Sequence, residues 1–247
     1  MNLKEIQERI GTTPDGVLGP KTKAALAARH FDVVIDAGHT RDHAREYPRE
    51  WPKGSWSGPA ARILRVLGLT ESSNDSVEHA LNVAVGKATA AALEKAGLKV
   101  LLYDDPSKGN KAEYVEAAAI GNAAAPRVFL SIHANGSKGV DSYKTNTACG
   151  TITFYRTTNK AASVALAIAI TDSVNAVRAE DGAPGNRADK AAPGSSYYVL
   201  NATAAAGASV LCEVGFYDHE KDLPFMADNI EGIGAAIAGA IRNHLKA

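Results

Sequence analysis

FLSIHANG, residues 129–136, opens as a buried strand and closes as a turn. Phe129, Leu130 and Ile132 are core residues by type, whereas Asn135 and Gly136 suit a strand end, and His133 stands between the two regimes. Apolar strands of the same kind recur as FDVVIDAGH (31–39), LKVLLYDD (98–105), GTITFYRT (150–157) and GASVLCEVGF (207–216). Helical patterns follow them: SVEHALNVAVGKATAAALEKAG (76–97), KAEYVEAAAIGNAAA (111–125), KAASVALAIAITDSVNAVRAE (160–180) and NIEGIGAAIAGAIRNHLKA (229–247). Strand and helix in alternation predict an α/β fold with a single, mostly parallel twisted sheet and helices on both faces.

The chain of 247 residues is long enough for one large domain with a small appendage. Lys plus Arg and Asp plus Glu number 27 each, a balance that gives no reason to expect nucleic acid or an anionic membrane as partner. Cys149 and Cys212 lie in apolar or Gly-bounded runs and read as small core residues of a reduced protein. The opening MNLKEIQERIG has no apolar signal-peptide core, and no run approaches 18 uninterrupted apolar residues. The expectation is synthesis in the cytoplasm without a signal peptide and no membrane association. Residues 1–30 read as a short helical hairpin, LKEIQERI and PKTKAALAARH around the turn TPDGVLG, ahead of a main domain at 31–247. The long connection at 40–76, rich in Trp, Pro, Gly, Ser and charge, reads as a functional loop.

Ligands of an open α/β sheet bind beyond the carboxyl ends of its strands. Three of the most apolar strands carry polar residues there: His39 after VVIDAG, His133 after FLSI and Glu213 within VLCEVGF. Glu78, in the first turn of the helix from 76, starts on the same side. Two imidazoles and a carboxylate are a common ligand set for catalytic zinc. A strand-end histidine is more often plain hydrogen-bonded structure, and Glu78 also suits the role of a solvated first-turn acid. Glu213 is harder to dismiss, because a carboxylate in so apolar a strand is costly unless paired, bound to metal or functional. Spacing does not choose between these readings.

The strings IDAGH, SVEHALN, FLSIHANG and VLCEVGF, in this order, resemble the zinc-dependent N-acetylmuramoyl-L-alanine amidases of the amidase-3 family across residues 32–247. GTITFY is similar to the strand after the family's second histidine, and GNRADK to its N-R-G segment, with Ala188 at the usual glycine. The resemblance implies Zn2+ held by His39, Glu78 and His133, with Glu213 as the catalytic carboxylate. It implies hydrolysis of the amide between N-acetylmuramic acid and L-alanine of the stem peptide, with bacterial peptidoglycan as partner. Asn82 and Asn135 would support the site, and Asn135, Arg187 and Trp56 are candidate substrate contacts. His79 points about 100° away from Glu78 on a helix and reads as a bystander. His30, His43, His219 and His244 read as surface residues.

The 38 residues between His39 and Glu78 exceed the short Gly-rich loop of the family. Glu46 and Glu71 therefore compete for the ligand role, but Glu78 alone has Asn82 at the expected offset. Residues 41–75, with Tyr47, Trp51 and Trp56, are a candidate lid or glycan-binding wall, or else a packed excursion. IQERIGTTPDGVLGPKTKAALAARH is similar to the core of peptidoglycan-binding modules, here truncated. With no signal peptide, the expectation is a monomeric phage endolysin that reaches the wall after holin-dependent release or lysis. The alternatives are a zinc carboxypeptidase-like hydrolase of wall peptides and a non-catalytic wall-binding protein.

Overall fold

A computed structural model describes residues 1–40, 65–68, 76–137, 146–158, 160–183 and 190–246 of the chain. Six strands form one sheet in the order β2-β1-β3-β6-β4-β5. They are β1 (Val33–Ala37), β2 (Val100–Tyr103), β3 (Val128–Asn135), β4 (Ile152–Tyr155), β5 (Lys190–Pro193) and β6 (Ala208–Phe216). The pairings β1–β2, β1–β3, β3–β6 and β4–β5 are parallel, and β4 runs antiparallel to β6. The expected mostly parallel α/β sheet is therefore present.

Side-chain alternation explains why both faces of this sheet are apolar. Val33, Ile35, Val128, Leu130, Ile132, Val210 and Cys212 belong to one core cluster. The helices α3 (Val77–Lys95), α5 (Lys160–Glu180) and α8 (Ile230–Lys246) cover that face with Leu81, Val85, Leu166, Ile170, Ile237 and Ile241. Val34, Leu101, Phe129 and Leu211 point to the other face, under α1 (Leu3–Ile10), α2 (Pro20–Arg29), α4 (Asn110–Ala124) and α6 (Tyr198–Ala202). Because the side-chain period of a strand is two, Asp36, Ser131, His133 and Glu213 share the face of Val34, Phe129 and Leu211. A short helix, α7 (Asp222–Asp228), lies between β6 and α8. Cys149 and Cys212 are both buried and are not joined in a disulfide.

The N-terminal hairpin packs into the second core rather than standing apart. Leu3, Ile6, Ile10 and Leu26 are buried with Val34, Tyr103, Ala117 and Ile120. Met1 carbonyl oxygen accepts from Asp104 N–H at 2.9 Å, which ties the chain start to the end of β2. The turn is organised around Gln7, fully buried. Its amide nitrogen donates to Asp15 Oδ1, Val17 carbonyl and Thr22 Oγ1, and its oxygen accepts from Gly16 N–H. Gly16 has φ +77°, where a side chain would be strained. The D-G and T of this motif thus have a complete structural account within the hairpin.

Helix α5 includes a stretch, 161–180, long and apolar enough by composition to cross a bilayer. In this fold one side of it, with Leu166, Ala167, Ile170 and Val174, is buried in the first core. His219, expected at the surface, is instead buried. Its Nδ1 accepts N–H bonds from Lys221 and Asp222 at 3.3 and 3.2 Å, so the imidazole caps the start of α7 from inside the fold.

Candidate functional site

At the carboxyl edge of the central strands the polar residues of the sheet meet Glu78. Ser76 caps α3 by accepting the His79 N–H at 3.1 Å. That start sets Glu78 in the first turn, over the tips of β1 and β3. Glu78 is buried at 5% exposure, which rules out the solvated first-turn acid. Its Oε1 lies 3.1 Å from His39 Nε2 and 3.3 Å from His133 Nδ1. The ligand atoms of the three residues all fall within 4.8 Å of one another. Tetrahedral coordination at bond lengths of about 2.0–2.1 Å sets neighbouring ligand atoms about 3.3 Å apart, so this donor set fits a zinc-type centre in both chemistry and spacing.

Both rings are held from behind. His39 Nδ1 lies 2.7 Å from Asn110 Oδ1, which can only accept, so Nδ1 carries the hydrogen and Nε2 faces Glu78. His133 Nε2 lies 3.1 Å from Ser131 Oγ, leaving Nδ1 for the site. The two rings meet edge to face with centroids 4.7 Å apart. Gly38 permits this approach: a Cβ there would fall 2.1 Å from His133 Nε2. His39 itself has φ +66°, a left-handed conformation that costs a non-glycine residue free energy and aims the ring inward. Asn82, one helical turn after Glu78, donates to the Gly38 carbonyl at 2.8 Å and fixes that backbone.

Electrostatics follow from this crowding. Burial pushes His39 down, but the Glu78 carboxylate, by charge and hydrogen bond, with Asn110 and Glu213, carries it up to about 9. A cation held by this group would have to displace a proton from His39. Glu213 pairs in register with His133 across β3 and β6. Burial raises Glu213 most, the nearby His133 and His39 charges lower it, Glu78 raises it, and the balance is about 7. Glu213 Oε2 has no hydrogen-bond partner among the described residues. An adjoining cavity of about 310 Å³ is lined by His39, His133, Glu213, Tyr114, Tyr197 and Tyr198 among others.

His39, Glu78, His133 and Glu213 are therefore brought together. Asn135 ends β3 beyond a register shift, its carbonyl accepting from Tyr217 N–H at 2.9 Å, and it does not line the cavity. Trp56 and Arg187, the rival ligands Glu46 and Glu71, Tyr47, Trp51 and His43 lie outside the described residues. So does the 41–75 lid, apart from 65–68. His79 turns away from the site, as its helical offset implies, and pairs with Asp104 at 2.9 Å in a partly buried contact. Asp36, Asn110, Glu113, Ser131 and Tyr197 border the site without having been singled out by sequence. Only Asp36 and Ser131 carried a signal, as polar residues inside otherwise apolar strands.

Two imidazoles and a carboxylate at the edge of an α/β sheet, with an unpartnered buried carboxylate on the next strand, have the form of a metallohydrolase centre. Residues 33–243 match the family model described as N-acetylmuramoyl-L-alanine amidase, and the chain belongs to that amidase-3 family. The fold is similar to Cwp6 from Clostridium difficile, with TM-score 0.62 and 19% identity over 88% of this chain and 30% of that one. It is also similar to the catalytic domain of CwlV, an amidase of Bacillus (Paenibacillus) polymyxa var. colistinus, with TM-score 0.60 and 22% identity over 87% and 97%. The catalytic domain of the CD27L endolysin targeting Clostridia difficile aligns with TM-score 0.58 and 19% identity over 87% and 98%. A comparison with curated proteins finds no match.

Proposed function

We propose that this chain is a zinc-dependent amidase that separates glycan from stem peptide in bacterial peptidoglycan, at the bond between N-acetylmuramic acid and L-alanine. The observation that carries the reading is the Glu78 oxygen set 3.1 and 3.3 Å from the two imidazole nitrogens, beside buried Glu213. His39 Nε2, His133 Nδ1 and Glu78 would hold the ion. Zinc, when bound, supplies Lewis acidity that polarises the scissile carbonyl and lowers the pKa of water towards neutrality. Glu213, near neutrality and without a structural partner for Oε2, takes the proton from the attacking water and delivers it to the leaving amine. Asn135, Arg187 and Trp56 are assigned to substrate binding on the sequence pattern.

The same proposal takes 31–247 as the catalytic unit and 1–30 as a helical extension of wall-binding type. It makes the protein a monomeric endolysin, reaching the wall after holin-dependent release or lysis. Purified protein should release dye from labelled peptidoglycan, lose that activity in EDTA and regain it with zinc. Mass spectrometry of the digest should show new free lactyl groups and intact stem peptides beginning with L-alanine. Cleavage within the peptide instead would replace the amidase reading by a peptidase.

A further inference from the structure

We propose that Glu113 and Asp36 form a positioning pair that acts through Ser131 to fix which nitrogen of His133 faces the metal site. The inference rests on the amidase reading and deepens it. Asp36 and Ser131 are register neighbours across β1 and β3, and the serine hydroxyl donates to Asp36 Oδ2 at 2.7 Å. Its one hydrogen is thereby used. Towards His133 Nε2, 3.1 Å away, Ser131 Oγ can only accept, so Nε2 carries the hydrogen and Nδ1 presents a lone pair towards Glu78.

This arrangement requires Asp36 to remain an acceptor, and Glu113 secures that. Glu113 is fully buried on α4 and lines the same cavity as Asp36, whose carboxylate is among the causes that raise it. Asp36 Oδ1 and both Glu113 oxygens have no hydrogen-bond partner among the described residues. Two neighbouring buried carboxylates do not both ionise, and one shared proton would engage two of the three orphaned oxygens. Burial first, then the Asp36 charge, pushes Glu113 well above the carboxylate range, which makes Glu113 the member of the pair that holds the proton. Asn110, one turn earlier on the same helix, orients His39 at 2.7 Å. Helix α4 thus positions both imidazoles from outside the ligand set.

The test compares Glu113→Gln, which keeps a neutral donor, with Glu113→Leu, which keeps neutrality and loses the donor. Zn2+ is titrated into metal-free protein against a chromophoric chelator, and the His133 tautomer is read from imidazole 15N shifts before metal is added. Glu113→Leu should weaken zinc binding about 10–100-fold and shift the His133 signals from the Nε2–H pattern. Glu113→Gln should keep both wild-type values. Ser131→Ala cuts the relay from the other side and should give the same two changes, which keeps the test available if Glu113→Leu does not fold. Wild-type affinity and tautomer in Glu113→Leu or Ser131→Ala, or equal losses in the Gln and Leu variants, would overturn the pair. A wild-type protein without zinc affinity would overturn the amidase reading instead, while the tautomer comparison would still judge the pair.

Discussion

Two carboxylates close in sequence, Glu213 on β6 and Asp222 at the start of α7, are both buried, yet their surroundings differ in kind. Asp222 is engaged at both oxygens: Oδ1 accepts from Arg178 at 2.6 Å, and Oδ2 from the Gly150 and Phe216 N–H groups at 2.8 and 2.9 Å. Arg178 also donates to Val214 carbonyl, and its guanidinium lies 4.3 Å above the Phe225 ring. Glu213 has an orphaned oxygen and three titratable neighbours. A buried charge with both oxygens engaged holds structure, whereas one with an oxygen left unengaged can accept a proton. Cys149, His219 and Asp222 also bring ligand-type atoms within 4.8 Å. Since the Asp222 oxygens and His219 Nδ1 are already engaged, that group reads as a structural knot.

The sharpest way to break this contrast is to neutralise each carboxylate in turn. Glu213→Gln should lower amide hydrolysis by about 10²–10⁴-fold while leaving zinc content and urea midpoint unchanged or raised, because an unpaired buried acid is removed. Dye release, metal analysis and urea unfolding check the three parts. Retention of near-normal rates would remove Glu213 as the base. Asp222→Ala should do the reverse: it strands Arg178 and two N–H groups, costing about 3–5 kcal/mol of stability. A lower urea midpoint with unchanged slope, and zinc affinity retained under native conditions, is the expected result.

The pH dependence sharpens the comparison further. Glu213 stands at about 7 in the metal-free protein, above the ordinary carboxylate value. Its contribution to stability is therefore complete below the usual carboxylate range and is lost as pH rises through about 7. In the proposed role of base it must be ionised, so kcat/KM should fall on the acid side. A bound divalent cation adds positive charge beside it, placing that acid limb below the metal-free value. An amidase pH profile with no acid limb in wild type, or the same limb in Glu213→Gln, would contradict the assignment.

How much of this was legible in sequence depends on range. His39, Glu78, His133 and Glu213 were readable because each interrupts or follows an apolar run in a recognisable string. Asn110, Glu113 and Tyr197 were not: each sits in a helix or loop of ordinary composition and matters only through a partner far along the chain. With both sheet faces covered, β1, β3 and β6 read as continuous apolar runs, so which residues share a face was hidden until pairing was known. The antiparallel placement of β4 left no trace in composition either. KAAP, the edge strand β5, is short, half exposed, and carries Lys and Pro, the features of a protected edge rather than of a strand signal.

The smallest test concerns backbone strain, which the protein holds in both functional and structural places. His39 at φ +66° and Ala125 at φ +43° are both non-glycine residues in the left-handed region. Ala125 merely ends α4, with its N–H bonded to Gly121 carbonyl at 3.0 Å and its side chain exposed. Ala125→Gly should therefore relieve strain and raise stability by up to about 1 kcal/mol, with zinc affinity and hydrolysis unchanged. His39→Gly relieves the same kind of strain but removes a proposed ligand, so zinc affinity and activity should collapse whatever the unfolding midpoint does. Measured together, the pair separates strain that only terminates a helix from strain that aims an imidazole at the site. If Ala125→Gly lowered the unfolding midpoint, the left-handed cap would have to be stabilised by something other than helix termination.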